Sequence, residues 1–247
     1  MKIILSPAKT MTAANDDFLS RGVLLFPEET QYLLDHLRKY SKEELKKIFK
    51  CSEKIAEQNY ERFQRMDLNK DLSPAVFSYT GLAYKHMVPS ALTDEGLAYL
   101  QEHLRIISAF YGLLRPFDGV TPYRLEMQAV LPGIGDMYSF WSDRIYRALD
   151  DDLIINLASA EYSSAVTKYL SEKDRMINIV FAEKKNGKLI QKGTYAKMLR
   201  GEMVYWMAEN GITDTQGLKE FSDGAVYSEE DSDEENYVFI RTERKQR

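Results

Sequence analysis

Leu153-Ile154-Ile155-Asn156-Leu157 is the run on which the fold turns. It is short and almost continuously apolar, and polar residues bound it on both sides, so it reads as a strand. Just before it, Tyr138 to Leu149 reads as a helix that turns Trp141, Ile145 and Leu149 inward. After it, Met176 to Glu183 pairs with Lys188 to Lys192 across Asn186-Gly187, the two-residue signal of a hairpin. Thr194 to Asn210 is an amphipathic helix, with Gly211 placed to end it. Tyr237-Val238-Phe239-Ile240 is a last strand.

Upstream, Lys2-Ile3-Ile4-Leu5 is a buried strand ended by Ser-Pro. Residues 6–29 read as loop. From Thr30 to Met66 the pattern is helical: Leu33, Leu34, Leu37 and Tyr40 recur at three and four. Ser41-Lys42-Glu43-Glu44 is a capping box that opens a second helix, and Ser52 caps a third. Ala75 to Tyr79 reads as a strand, Thr93 to Leu104 as a capped helix, and Arg105 to Phe110 as a buried strand. Prolines 116, 122 and 132, with four glycines, punctuate a long loop region between these and Tyr138. Strands and helices alternate irregularly around a late hairpin, which predicts a mixed α/β (α+β) fold with a central sheet in one domain, 1–247. There is no internal repeat and no clear linker.

With 247 residues, 44% hydrophobic and 29% charged, and a mean hydropathy of −0.42, the chain has the balance of a soluble globular protein. No apolar run approaches the roughly 20 residues of a membrane span, and the N-terminus lacks a signal peptide's apolar core. A cytoplasmic location without membrane contact is expected. The single Cys51 permits no intrachain disulfide and no thiolate zinc site, and His36, His86 and His103 share no metal-ligand spacing. We expect no metal and no cofactor. The formal charge is −5, yet residues 31–65 hold nine basic and six acidic residues. Residues 220–236 hold eight acids and no base, a solvated loop, before the basic Arg241, Arg244, Lys245 and Arg247.

Polar residues gather after strand ends, where sheets place their sites. Ser6, Lys9 and Thr10 offer hydroxyls and an ammonium to an anion; an ordinary strand exit looks the same. In the stretch from Tyr111 to Met127, Arg115 precedes a proline and is extended, free to point into a cleft. Asp118, Tyr123, Arg124 and Glu126 add both signs of charge there. A guanidinium suits phosphate or carboxylate, and a nearby carboxylate orients it or accepts a proton. The competing reading is an ion-pair network that fixes a long loop. Asn156, Ser159, Glu161 and Tyr162, with Lys168 further on, form a third group. Lys197 and Arg200, at i and i+3, form a fourth. Lys42, Lys46, Lys47, Lys50 and Lys54 make a basic face across the second and third helices, or an ordinary solvated surface. No nucleophile–base constellation stands out, and no Glu-x-x-His pair exists to build a di-iron site.

Five motifs in order resemble the YaaA family: Ser6-Pro7-Ala8-Lys9-Thr10, Tyr111-Gly112-Leu113-Leu114-Arg115-Pro116-Phe117-Asp118, Pro122-Tyr123-Arg124-Leu125-Glu126-Met127, Asn156-Leu157-Ala158-Ser159-x-Glu161-Tyr162 and Lys197-x-x-Arg200-Gly201. The resemblance covers essentially the whole chain. It departs at Ser108-Ala109-Phe110-Tyr111, where Ser-Gly-Leu-Tyr is the family's pattern. It implies a cytosolic peroxide-stress protein associated with lowering free iron and DNA damage. It also implies a positively lined cleft and a helix-hairpin-helix element linked to DNA, matched here by residues 31–66. The hairpin turn at Tyr40-Ser41 lacks the usual glycine.

Two functions remain open. One is a non-enzymatic protein that binds duplex or branched DNA along its backbone, through the lysine face and the cationic residues Lys9, Arg115, Arg124, Lys168, Lys197 and Arg200. The other is an enzyme acting on an anionic, nucleotide-like or phosphorylated small molecule. There Lys9, Arg115 and Arg124 hold the anion and Glu126 or Glu161 serves as general acid/base. The oligomeric state is not legible.

Overall fold

Ile3, Ile4 and Leu5 lie at the centre of the molecule, at most 1% exposed, because the strand they form runs inside a parallel sheet with a strand bonded along each edge. The computed structural model describes residues 1–13, 20 and 22–242. The middle of the 6–29 loop and the basic residues Arg244, Lys245 and Arg247 lie outside the described residues.

Among the described residues the strands are β1 (Lys2–Leu5), β2 (Ser73–Pro74), β3 (Leu104–Ser108), β4 (Gly112–Leu114), β5 (Gly119–Val120), β6 (Val130–Leu131), β7 (Gly135–Asp136), β8 (Leu153–Asn156), β9 (Arg175–Lys185), β10 (Lys188–Ile190), β11 (Ala225–Tyr227) and β12 (Asn236–Arg241). The central sheet runs β11-β12-β9-β8-β1-β3-β4, with β10 paired to β9. The inner five are parallel: β3 with β1, β1 with β8, β8 with β9, and β9 with β12. The outermost, β4 and β11, run antiparallel to their neighbours. Numbered by their own sequence order, the parallel strands lie 2-1-3-4-5, so the order reverses between β1 and β8. The fold is mixed α/β with a mostly parallel central sheet.

The helices are α1 (Pro27–Leu37), α2 (Lys42–Ile48), α3 (Glu53–Arg65), α4 (Ala75–Ser78), α5 (Leu82–Met87), α6 (Asp94–His103), α7 (Met137–Trp141), α8 (Arg144–Arg147), α9 (Ala160–Thr167), α10 (Gly193–Asn210) and α11 (Thr215–Leu218). The Ser41–Glu44 capping box is fully formed, Thr93 caps α6, and Gly211 closes α10 at φ +61°. Ser52 stands at the head of α3 without a side-chain cap bond. Asn186 and Gly187 take φ +50° and +72° between β9 and β10, as the hairpin turn requires.

Three expectations fail. Ala75–Tyr79 is no strand: α4 occupies it, because the carbonyls of Asp118 and Pro116 take the amides of Ala75 and Val76 and start a helical turn. The helix over Tyr138–Leu149 is two, α7 and α8, broken where Ser142 turns to φ +48°. The acidic run is not all loop: it contains β11, and Lys184 pairs with its Glu230 and Asp231. Within residues 31–66 the closest helix packing is between α2 and α3, joined through Phe49–Ser52, and not across the Tyr40-Ser41 junction of α1 and α2 where the sequence places the hairpin turn.

Candidate functional site

β1 and β8 run side by side and end on serine-bearing loops. From β1 the chain goes on to β3 on one side and, later, to β8 on the other. Connections that diverge in this way open a crevice above the carboxyl ends of the two strands. Ser6 follows β1 directly, and Ser159 follows β8 by three residues. The Ser159 amide donates to Ser6 Oγ at 2.8 Å, and the two hydroxyls are 3.2 Å apart. Tyr84, on α5, donates its hydroxyl to the Ser6 carbonyl at 2.9 Å. Thr10 accepts from the Thr80 hydroxyl at 2.9 Å. The head of α5 sits so close to this loop that a Cβ on Gly81 would lie 2.6 Å from that of Ala8.

Residues 124–128 lie between the loop and α9. Arg124 Nη2 donates to Glu126 Oε1 at 2.7 Å, and Lys9 Nζ donates to Glu126 Oε2 at 2.8 Å, so one carboxylate bridges two cations. The Gln128 amide donates to Glu161 Oε1 at 3.4 Å, and the Met127 amide faces the Tyr162 hydroxyl. Lys9 is 63% exposed but Arg124 only 13%, and Arg124 Nε is buried with no hydrogen-bond partner.

Beneath lies a cluster of phenols. Tyr123 joins Ser108 Oγ at 2.6 Å and Tyr79 Oη at 2.9 Å, while Ser108 Oγ accepts the Phe110 and Tyr111 amides. Burial pushes the Tyr123 phenol up to about 12. Burial also raises Tyr79, Tyr84, Tyr111 and Tyr162, the last with added repulsion from Tyr123, Glu161 and Glu126. All five phenols are therefore protonated at neutral pH.

Other expected site residues lie elsewhere or are already engaged. Leu114 pairs with Ile106, so Arg115 lies toward the amino end of β3, opposite the crevice. Its amide and Nε bond Asp118, at 2.8 and 3.0 Å, and Nη2 bonds the Val23 carbonyl at 2.7 Å. Burial raises the Asp118 carboxyl, against the pull of Arg115. This is the loop-fixing network. Tyr123 is committed to the core. Asn156 bonds Asn178 at 2.8 Å, and Asn178 bonds Asn236 at 3.2 Å, an amide ladder across β8, β9 and β12. Lys168 caps the far end of α9, nine residues and about 13.5 Å along the helix from Ser159. Lys197 is exposed on α10. Arg200 is mostly buried there, with Nε unpartnered and its pKa lowered by that burial.

On the helix pair, Lys42 bonds Glu57 at 2.6 Å and Lys46 lies 3.9 Å from Glu53. Lys47, Lys50 and Lys54 are exposed and have no ion-pair partner among the described residues. Lys50 takes φ +46° in the turn. Among the described residues no group of three or more His, Cys, Asp or Glu is placed to hold a metal, and no helix is long and apolar enough to cross a membrane.

Sequence reasoning missed Ser108, Tyr79 and Tyr84. Ser108 was legible as a hydroxyl ending a parallel strand. Tyr79 directly follows the α4 turn in a segment that reads as a strand, and Tyr84 lies on α5, which carries no periodic pattern.

Compared with known proteins, residues 1–232 match the family model described as peroxide stress protein YaaA. A UPF0246 protein of Agathobacter rectalis is 49% identical, covering 98% of this chain and 99% of its own. Relatives of the same description from Desulfitobacterium hafniense and Limosilactobacillus reuteri are 46% and 45% identical. Those matches cover 98% and 97% of this chain, and 98% of each relative. Motifs, fold and full-length similarity agree, and the chain belongs to the YaaA (UPF0246) family of peroxide stress proteins.

Proposed function

We propose that this chain serves the peroxide-stress response as a single-domain cytoplasmic protein that binds duplex or branched DNA along its phosphate backbone. The contact surface is the α2–α3 pair, used as a helix-hairpin-helix-like element, and the binding helps limit oxidative DNA damage. The accompanying role in limiting free iron rests on the family resemblance alone. One observation carries the DNA reading: Lys47, Lys50 and Lys54 surround the α2–α3 turn, exposed and with no ion-pair partner among the described residues. Lys42 and Lys46 add to them, because surface pairs with glutamates are worth at most about 1 kcal/mol and exchange readily for phosphate. No base-reading element accompanies them, so little sequence preference is expected.

The test is fluorescence anisotropy with duplex and four-way branched DNA at low and physiological salt. Saturable binding is expected, with affinity falling about as the third power of salt for about three phosphates. A Lys47→Glu/Lys54→Glu variant should lose most of that binding and keep its thermal midpoint. Salt-independent binding, or binding unchanged in the variant, overturns the assignment.

A further inference from the structure

We infer that the crevice between β1 and β8 is a binding site for a small molecule ending in an oxyanion, a phosphate monoester or a carboxylate, held by Arg124 and Lys9. Glu126 spends both oxygens on Arg124 and Lys9, and the nearer oxygen of Glu161 faces the Gln128 amide. What remains there, besides the second Glu161 oxygen, is donors. Arg124 Nε–H is buried with no acceptor. Lys9 uses one of its three N–H groups. Ser6 and Ser159 share a single hydroxyl hydrogen between them, so the other hydroxyl hydrogen is available. Tyr162 adds a phenol that stays protonated. A buried donor without a partner costs about 1–3 kcal/mol in a protein that leaves few of them so. The unspent donors of Arg124, Lys9 and the Ser6–Ser159 pair outnumber the unspent acceptors, and a ligand of acceptors matches them.

The depth of Arg124 selects the size of that ligand. With its side chain 13% exposed and Nε buried, a duplex phosphodiester flanked by sugars on both sides cannot be brought to it. A terminal oxyanion enters end-on. The position agrees, since strand-order reversals in parallel sheets are where small ligands bind. The site is independent of the α2–α3 lysines.

Isothermal titration calorimetry of the full chain tests this, with inorganic phosphate and, separately, malonate, each at constant ionic strength made up with chloride. One saturable site for at least one of them is expected. Phosphate alone identifies a phosphate monoester, and malonate alone identifies a carboxylate. Arg124→Gln should weaken binding at least about tenfold. Lys9→Gln, at a position 63% exposed, should weaken it too. Lys47→Glu/Lys54→Glu should bind as the parent does, so this reading can fail or stand apart from the DNA reading. Three results overturn it: no heat with either probe, equal affinity in the Arg124 and Lys9 variants, or displacement of the bound anion by duplex DNA.

Discussion

Tyr123 has both sides of its hydroxyl engaged, by Ser108 and Tyr79, and with Tyr84, Tyr111 and Tyr162 it forms a set of phenols that the fold keeps neutral. A phenol raised above its unfolded value of about 10 stabilises the fold fully below that value. The contribution is lost as pH climbs through the folded value, which for Tyr123 opens a window from about 10 to about 12. Near-ultraviolet absorbance during an alkaline titration should show these phenolates appearing late, in one step with the loss of far-ultraviolet circular dichroism. A gradual rise in a protein that stays folded contradicts the burial. At this scale the site was half legible. Arg124, Glu126 and Lys9 carry charge in a run with no helical period, and the structure joins them. Arg115 looked the same in sequence, and only the antiparallel return of β4, which no local signal encodes, sends it to the opposite end of the sheet.

Between elements, the tightest fit is α10 on α5. A Cβ on Gly201 would lie 1.9 Å from the Ala83 carbonyl oxygen, and backbone cannot swing aside. Gly201→Ala should therefore destabilise the protein by about 1–3 kcal/mol by urea denaturation, despite a gain of about 1 kcal/mol in helix propensity. A neutral or stabilising effect means that the two helices sit further apart. Because α5 also holds the Ser6 carbonyl through Tyr84, the same variant should loosen the crevice. Elements with strong local signals were readable: the Ser41 capping box, the Asn186-Gly187 turn, the aliphatic runs of β1 and β8. Ala75–Tyr79 was not, since Val76, Phe77 and Tyr79 look like a strand and their helical turn is imposed by carbonyls from residues 116 and 118.

At the scale of the molecule, the parallel sheet is completed from the far end of the chain. β12 pairs with β9 from Asn236 to Ile240, beyond residue 232 where the family match stops. Its Tyr237, Val238 and Phe239 are all nearly fully buried. At about 1.5–3 kcal/mol for each such side chain, their loss is comparable to the 5–15 kcal/mol that holds a domain together. A chain cut after residue 224 should show no cooperative thermal transition by calorimetry; a transition like the parent's would mean the strand is dispensable. The strand pairing itself was beyond reach of the sequence, because a parallel partner lies a whole crossover away. The two outermost strands of that sheet, β4 and β11, and the side strand β10 are each only three residues long. A misfolded neighbour seeking a strand to zip onto finds almost no template there. That brevity leaves few unpaired backbone groups on these strands for another chain to pair with.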